Sequence, residues 1–126
     1  MAPSVLVVDD DFNIRAAVTD ALVDEGFSVV TAADGREALD YLRANEPPEL
    51  ILLDWMMPRC NGEQFRAEHR SDPVLSMIPV VVLTADSAVR NRVMLEGHPS
   101  LEKPVCLDDL LDTVSKYCRA PLKTGS

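Results

Sequence analysis

Residues 4–11 read Ser4-Val5-Leu6-Val7-Val8-Asp9-Asp10-Asp11, four consecutive apolar residues running into three carboxylates. An unbroken, Val-rich run of this length suits a strand covered on both faces, which implies a parallel sheet between two layers of helices. The pattern recurs along the chain. Leu50-Ile51-Leu52-Leu53 ends on Asp54. Ile78-Pro79-Val80-Val81-Val82-Leu83 ends on Thr84, with its proline at the entry, where a missing donor is tolerated. Phe27 to Thr31 and the brief Ser100 to Glu102 supply two more strands, the last leading into Lys103-Pro104.

Helical stripes separate these strands. Phe12, Ile14, Ala17, Val18, Ala21 and Leu22 share one face, with Asp11 as cap and Gly26 as stop. Asp34 and Glu37 have capping-box spacing before Ala38, Leu39 and Leu42, and Pro47-Pro48 breaks that helix. Trp55 to Gly62 reads as a loop, followed by a short polar helix around Glu63 to Arg70. Val89, Val93 and Met94 fall on one side of a fourth helix that stops at Gly97. Leu107, Leu110, Leu111, Val114, Tyr117 and Cys118 mark a fifth. Five strand–helix alternations with short connections predict an α/β fold, an open, doubly wound five-stranded parallel sheet with helices on both faces.

Composition narrows the function classes. With 126 residues the chain has room for one domain. Its 21 acidic and 12 basic residues give a net charge of −9, which argues against a nucleic-acid partner. The apolar runs are too short for a membrane span and no secretory leader is visible, so a cytoplasmic location is expected. Cys60, Cys106 and Cys118 lack metal-ligand spacing and read as reduced thiols, and a redox role for Cys60 is disfavoured. His69 and His98 have no ligand pattern around them and read as surface residues.

In an open α/β sheet, ligands gather outside the carboxyl ends of the strands. Those ends carry Asp9, Asp10 and Asp11, then Asp54, Thr84 and Lys103. Singly, each has an ordinary explanation: an aspartate or threonine capping a helix, a lysine in solvent. Jointly, on one edge, they make a site. Adjacent carboxylates repel unless a cation or proton intervenes, and all-oxygen ligation suits Mg²⁺. A carboxylate can also act as nucleophile and form an aspartyl phosphate, with lysine and threonine neutralising and positioning the phosphoryl oxygens.

Val7-Val8-Asp9-Asp10, Asp54-Trp55-Met56-Met57-Pro58, Asn61-Gly62, Thr84-Ala85 and Lys103-Pro104 together resemble the receiver domain of two-component response regulators. The resemblance covers residues 4–119 and leaves 120–126 as a C-terminal tail. It implies the flavodoxin-like strand order 2-1-3-4-5 of the bacterial chemotaxis response regulator. It further implies that Asp54 accepts a phosphoryl group from a histidine kinase or phosphotransfer protein. Asp10 and Asp54 would hold Mg²⁺ directly, Asp9 through water, and the Met56 backbone carbonyl would complete the protein ligands. Thr84 and Lys103 would contact the phosphoryl oxygens, and Lys103-Pro104 would be a cis bond. A downstream protein would bind the surface of the fourth helix, fifth strand and last helix. Met56 and Asp86 would act in opposite directions on the lifetime of the phosphoryl group, Met56 hindering water and Asp86 orienting it.

One position departs from the family pattern. Ser100 stands where a tyrosine or phenylalanine is usual, so the expectation is that output depends on rearrangement of loop and helix rather than on a buried aromatic. Other readings stay open: a degenerate receiver that works without phosphorylation, a module cut from a hybrid kinase or larger regulator, and a free-standing receiver. A phosphatase with a nucleophilic aspartate is disfavoured, because Met56 occupies the place of the usual second aspartate.

Overall fold

A computed structural model describes residues 4–55 and 62–118. Strand β1 (Ser4–Val8) is followed by α1 (Phe12–Asp24), β2 (Ser28–Ala32), α2 (Gly35–Ala44) and β3 (Leu50–Asp54). Helix α3 (Gly62–Ser71) leads through a 3-10 turn (Leu75–Met77) to β4 (Val80–Thr84), α4 (Ser87–Leu95), β5 (Ser100–Glu102) and α5 (Leu107–Tyr117). All strand pairs are parallel, and the order is β2-β1-β3-β4-β5. The fold class and strand order agree with the sequence reading.

Strand alternation divides the core. Val5, Val7, Leu50, Leu52, Val81 and Leu83 pack with Val18 and Leu22 of α1 and Leu110 and Val114 of α5. Leu6, Val8, Ile51, Leu53, Val80 and Val82 face the other way, onto Leu39 and Leu42 of α2, Phe65 of α3 and Val93 of α4. Every residue of β3 and β4 is buried, which explains why these strands read as continuous apolar runs. Truncating one of their leucines to alanine would cost about 2–5 kcal/mol.

The end signals work locally as expected. Asp11 accepts from the Asn13 and Ile14 amides, and Gly26 and Gly97 take the positive φ that ends α1 and α4. Asp34 accepts from Glu37 N, while Glu37 reaches back to Ala33 N, one residue ahead of the usual capping-box target.

Three expectations need correction. Phe12, Met94, Leu107 and Tyr117 fit the apolar stripes in sequence but are exposed, because the inward seams are filled by Val18 and Leu22, by Val89 and Val93, and by Leu110 and Val114. His69 is not on the surface: it is 4% exposed, and its Nε2 lies 2.8 Å from the Ile78 carbonyl oxygen. The "polar" α3 in fact buries Phe65, Arg66 and His69 along one side.

Candidate functional site

The sheet register builds the site. β1 and β3 pair through Val7↔Leu52 and Val8↔Leu53, so one further step brings Asp9 beside Asp54. Both residues continue the parity of Val5, Val7, Leu50 and Leu52, and both therefore fall on the α1/α5 side of the strand ends. Asp10, the next residue, is exposed. One carboxylate oxygen from each of Asp9, Asp10 and Asp54 lies within 4.8 Å of the others. Asp11 belongs to the helix cap and stays out of this cluster.

Asp9 is fully buried and heavily tied. Its Oδ1 accepts from the Asp11 amide at 2.9 Å, and its carbonyl accepts from Arg15 Nη1 at 2.7 Å. Lys103 reaches across from the end of β5 and places Nζ 3.1 Å from Asp9 Oδ2 and 3.1 Å from Asp54 Oδ1. A single ammonium thus serves two buried carboxylates. Burial and the Asp9 charge push the Asp54 carboxyl up to about 7 against the opposing pull of Lys103. The Lys103 ammonium is shifted upward: burial acts against its charge, and the bonds to Asp54 and Asp9 outweigh burial.

Thr84 sits at the end of β4, 3% exposed, its Oγ1 accepting from the Asp86 amide at 3.1 Å. Asp86, and not Thr84, caps α4 by accepting from the Ala88 and Val89 amides. The Lys103 amide donates to the Thr84 carbonyl at 3.1 Å, so β4 and β5 deliver the hydroxyl and the ammonium together. The Lys103–Pro104 bond is cis. Met56 and Cys60 lie outside the described residues. Among the other thiols, Cys106 is exposed, and burial pushes Cys118 up to about 12.

The donor set suits a hard divalent cation. Among the described residues, two buried carboxylates share one lysine and a third, Asp10, stands beside them, so negative charge is in surplus in a partly dry place, and all three offer oxygen. Beside Lys103 a hollow of about 480 Å³ opens between α1 and the start of α5, lined by apolar side chains such as Ile14, Val18, Pro104 and Leu107. This hollow had no signal in the sequence, because its walls come from three separate segments. Among the described residues, no helix is long and apolar enough to cross a membrane.

Comparison with known proteins bears on this geometry. The family model described as "Response regulator receiver domain" matches residues 5–115. Response regulator MprA of Mycolicibacterium vanbaalenii is 40% identical over 114 residues, covering 88% of this chain and 48% of that protein. MprA of Mycobacterium bovis is 39% identical over 114 residues, with the same shares of 88% and 48%. The chain therefore spans about half the length of the curated relatives it matches. The chemotaxis protein CheY4 of Vibrio cholerae superposes with a TM-score of 0.83 at 32% identity, covering 93% of this chain and 99% of that one. A putative response regulator from Chloroflexus aurantiacus gives a TM-score of 0.86 at 26% identity, covering 93% and 98%. With β-order, strand-end carboxylates and lysine in place, the chain belongs to the response regulator receiver domains, a family whose function is phosphoacceptance in two-component signalling.

Proposed function

We propose that Asp54 is the phosphoacceptor of this receiver, spanning residues 4–119, and that its phosphorylation state controls a binding surface. The observation that carries the reading is the single Lys103 ammonium held 3.1 Å from both Asp9 and Asp54. A buried carboxylate with surplus negative charge around it and one movable cation is poised to exchange partners. An Asp54 oxygen attacks the phosphorus of a phosphohistidine on a kinase or phosphotransfer protein. The O–P bond forms as the N–P bond breaks, and the departing imidazole keeps the electron pair and takes up a proton. Lys103 and the Thr84 hydroxyl then bind phosphoryl oxygens, and the Asp86 amide loses its present acceptor as Thr84 turns.

Asp9, Asp10, Asp54 and the Met56 carbonyl are the residues that would hold Mg²⁺, which when bound neutralises charge on the phosphoryl oxygens. The apolar hollow beside Lys103 supports a landing place for the phosphodonor protein. The output surface is α4, β5 and α5, read by a protein in the cytoplasm. Residues 120–126 form a tail to this unit. Beyond self-phosphorylation and self-dephosphorylation at Asp54, the chain performs no turnover chemistry of its own.

Incubation with acetyl phosphate and Mg²⁺ followed by intact mass tests the assignment. The expected result is a gain of one phosphoryl group, absent from Asp54→Asn. Uptake that persists in Asp54→Asn overturns the assignment. No uptake with any divalent cation favours a receiver that works without phosphorylation, and repeated turnover of unrelated phosphate esters favours a hydrolase.

A further inference from the structure

Two routes lead from the carboxylate cluster to α4, and they differ in how well they are filled. The first passes through β4 and β5, by way of Thr84 and Ser100. Here the packing is open. Ser100 Oγ and Arg90 Nε are buried without a hydrogen-bond partner. They border a hollow of about 240 Å³ whose walls include Leu101, Glu102, Val105 and Asp109. The hollow thus opens where α4, at Arg90, meets β5, at Ser100 to Glu102.

The second route passes through β3 and is packed throughout. Trp55 follows Asp54 directly, and strand alternation sends the two side chains to opposite faces. Asp54 joins the cluster on the α1/α5 side, and Trp55 enters the core beneath α2, α3 and α4. The indole is 5% exposed and shares its cluster with Val82 and with Val93 of α4, which is fully buried. The Trp55 amide donates to the Leu83 carbonyl at 3.2 Å, next to Thr84. From α4, the Arg92 guanidinium lies over the indole ring, 5.3 Å from its centroid. Helix α4 therefore meets Trp55 through the Arg92 guanidinium and enters the same core with the next residue, Val93.

We propose that Trp55 and Arg92 form the lever by which the state of the Asp54 carboxylate sets the position of α4, with Arg92 acting as a positioning residue. The proposal rests on the phosphoacceptor reading of Asp54. Interiors are close-packed, so a rigid bicyclic ring wedged between β3 and α4 passes on small shifts of the strand end. The guanidinium–indole contact biases α4 toward the arrangement that keeps cation over ring, by a factor of about two to five between two helix positions. It also relieves Ser100 of the aromatic role that the sequence pattern leads one to expect, because this chain carries a buried aromatic just past the end of β3.

Trp55 is the one tryptophan in the chain, so its emission reports the lever directly. The test uses the full chain with Mg²⁺ and beryllium fluoride as phosphoryl mimic. Hydrogen exchange over residues 87–95 and Trp55 emission are followed in the wild type, Arg92→Gln, Arg92→Lys and Arg90→Gln. Intact mass after acetyl phosphate is run in parallel on each. Failure of the wild type to take up phosphoryl overturns the Asp54 reading and this proposal with it. Given uptake, Arg92→Gln should be phosphorylated as the wild type is, while the response of α4 to the mimic shrinks by a factor of about two to five. Arg92→Lys should restore part of the response, and Arg90→Gln, on the open route, should leave it whole. A full α4 response in Arg92→Gln overturns the lever. So does an equal loss in Arg90→Gln, which would mark a general effect of charge on the helix.

Discussion

Two clusters of buried charge lie on this fold, and they are built on opposite accounts. At the carboxyl edge of the sheet, buried Asp9 and Asp54 share one lysine and exposed Asp10 stands beside them, leaving surplus negative charge among the described residues. Between α3 and the end of α4, Arg66 pairs with Glu96 at 3.0 Å, and His69 and His98 meet edge to face with ring centroids 6.5 Å apart. In this second cluster the charges are matched: Arg66 has Glu96 as counter-ion, although its Nε is buried without a hydrogen-bond partner, and His69 has the Ile78 carbonyl. Both need shelter and hydrogen bonds to exist. Only the first is left wanting a ligand, and a buried surplus of charge distinguishes a site from a fastening.

The largest effect separates the two completely. Asp54→Asn should lower phosphoryl uptake at least about a hundredfold, since an amide is no nucleophile here. Glu96→Gln should leave uptake within about twofold, because a fastening does not touch the reacting atoms. Intact mass over a time course reads both, and a Glu96 variant as inert as Asp54→Asn would erase the distinction.

Lys103→Met comes next. Removing the shared cation leaves two buried carboxylates facing each other, at a cost of about 2–4 kcal/mol near neutral pH without divalent cation. Adding Mg²⁺ should return much of that loss, because a cation again stands among the oxygens. Urea unfolding with and without Mg²⁺ measures it, and an unchanged midpoint would mean that Lys103 is an ordinary solvated lysine.

Much of the first cluster was readable in the chain. Strands that stop abruptly on Asp9, Asp54 and Thr84 announce an edge, and parallel alternation puts all three ends on it. The second cluster was not readable. In α3, Arg66 and His69 look like any polar surface, and only Phe65, four residues before His69, hints at a buried side. Their partners Glu96 and His98 lie about thirty residues on, so the pairing exists only after α3 and α4 dock. The Trp55–Arg92 contact is hidden for the same reason: a tryptophan after Asp54 reads as loop until β4 pins its amide. Met94 went astray because Val89 and Val93 already fill the inward seam.

Glu96→Gln carries a smaller stability effect and sharpens the idea of a fastening. It strands the Arg66 guanidinium, 8% exposed, at a cost of about 1 kcal/mol, tempered because Glu96 itself is partly in solvent. Arg66→Met should cost less, since it removes the buried charge instead of orphaning it. If the two variants unfold in the opposite order, Arg66 is held by something other than Glu96.

The smallest effect is a slope, and its sign differs between the clusters. The Asp54 carboxyl is raised from 3.8 to about 7, so the folded state holds a proton that the unfolded chain releases, and its contribution to stability is present in acid and lost as pH rises through 7. His69 and His98 are both lowered from 6.5, chiefly by burial, with His69, Arg66 and Arg70 adding to the effect at His98 and Glu96 opposing it. Asp72 and the Ile78 carbonyl oppose it at His69. For them the unfolded chain binds more protons, so stability is complete above 6.5 and falls as pH drops below it. In the wild type the carboxylate slope, which runs over the window between 3.8 and about 7, is opposed below 6.5 by the histidine slope. Asp54→Asn should uncover the histidine slope, with stability rising steadily with pH. Replacing both histidines, His69→Gln with His98→Gln, should uncover the carboxylate slope, with stability falling. Urea midpoints across that window decide it. Two variants sloping the same way would mean that one cluster is not buried as charge in solution, and the contrast between site and fastening would lose its basis.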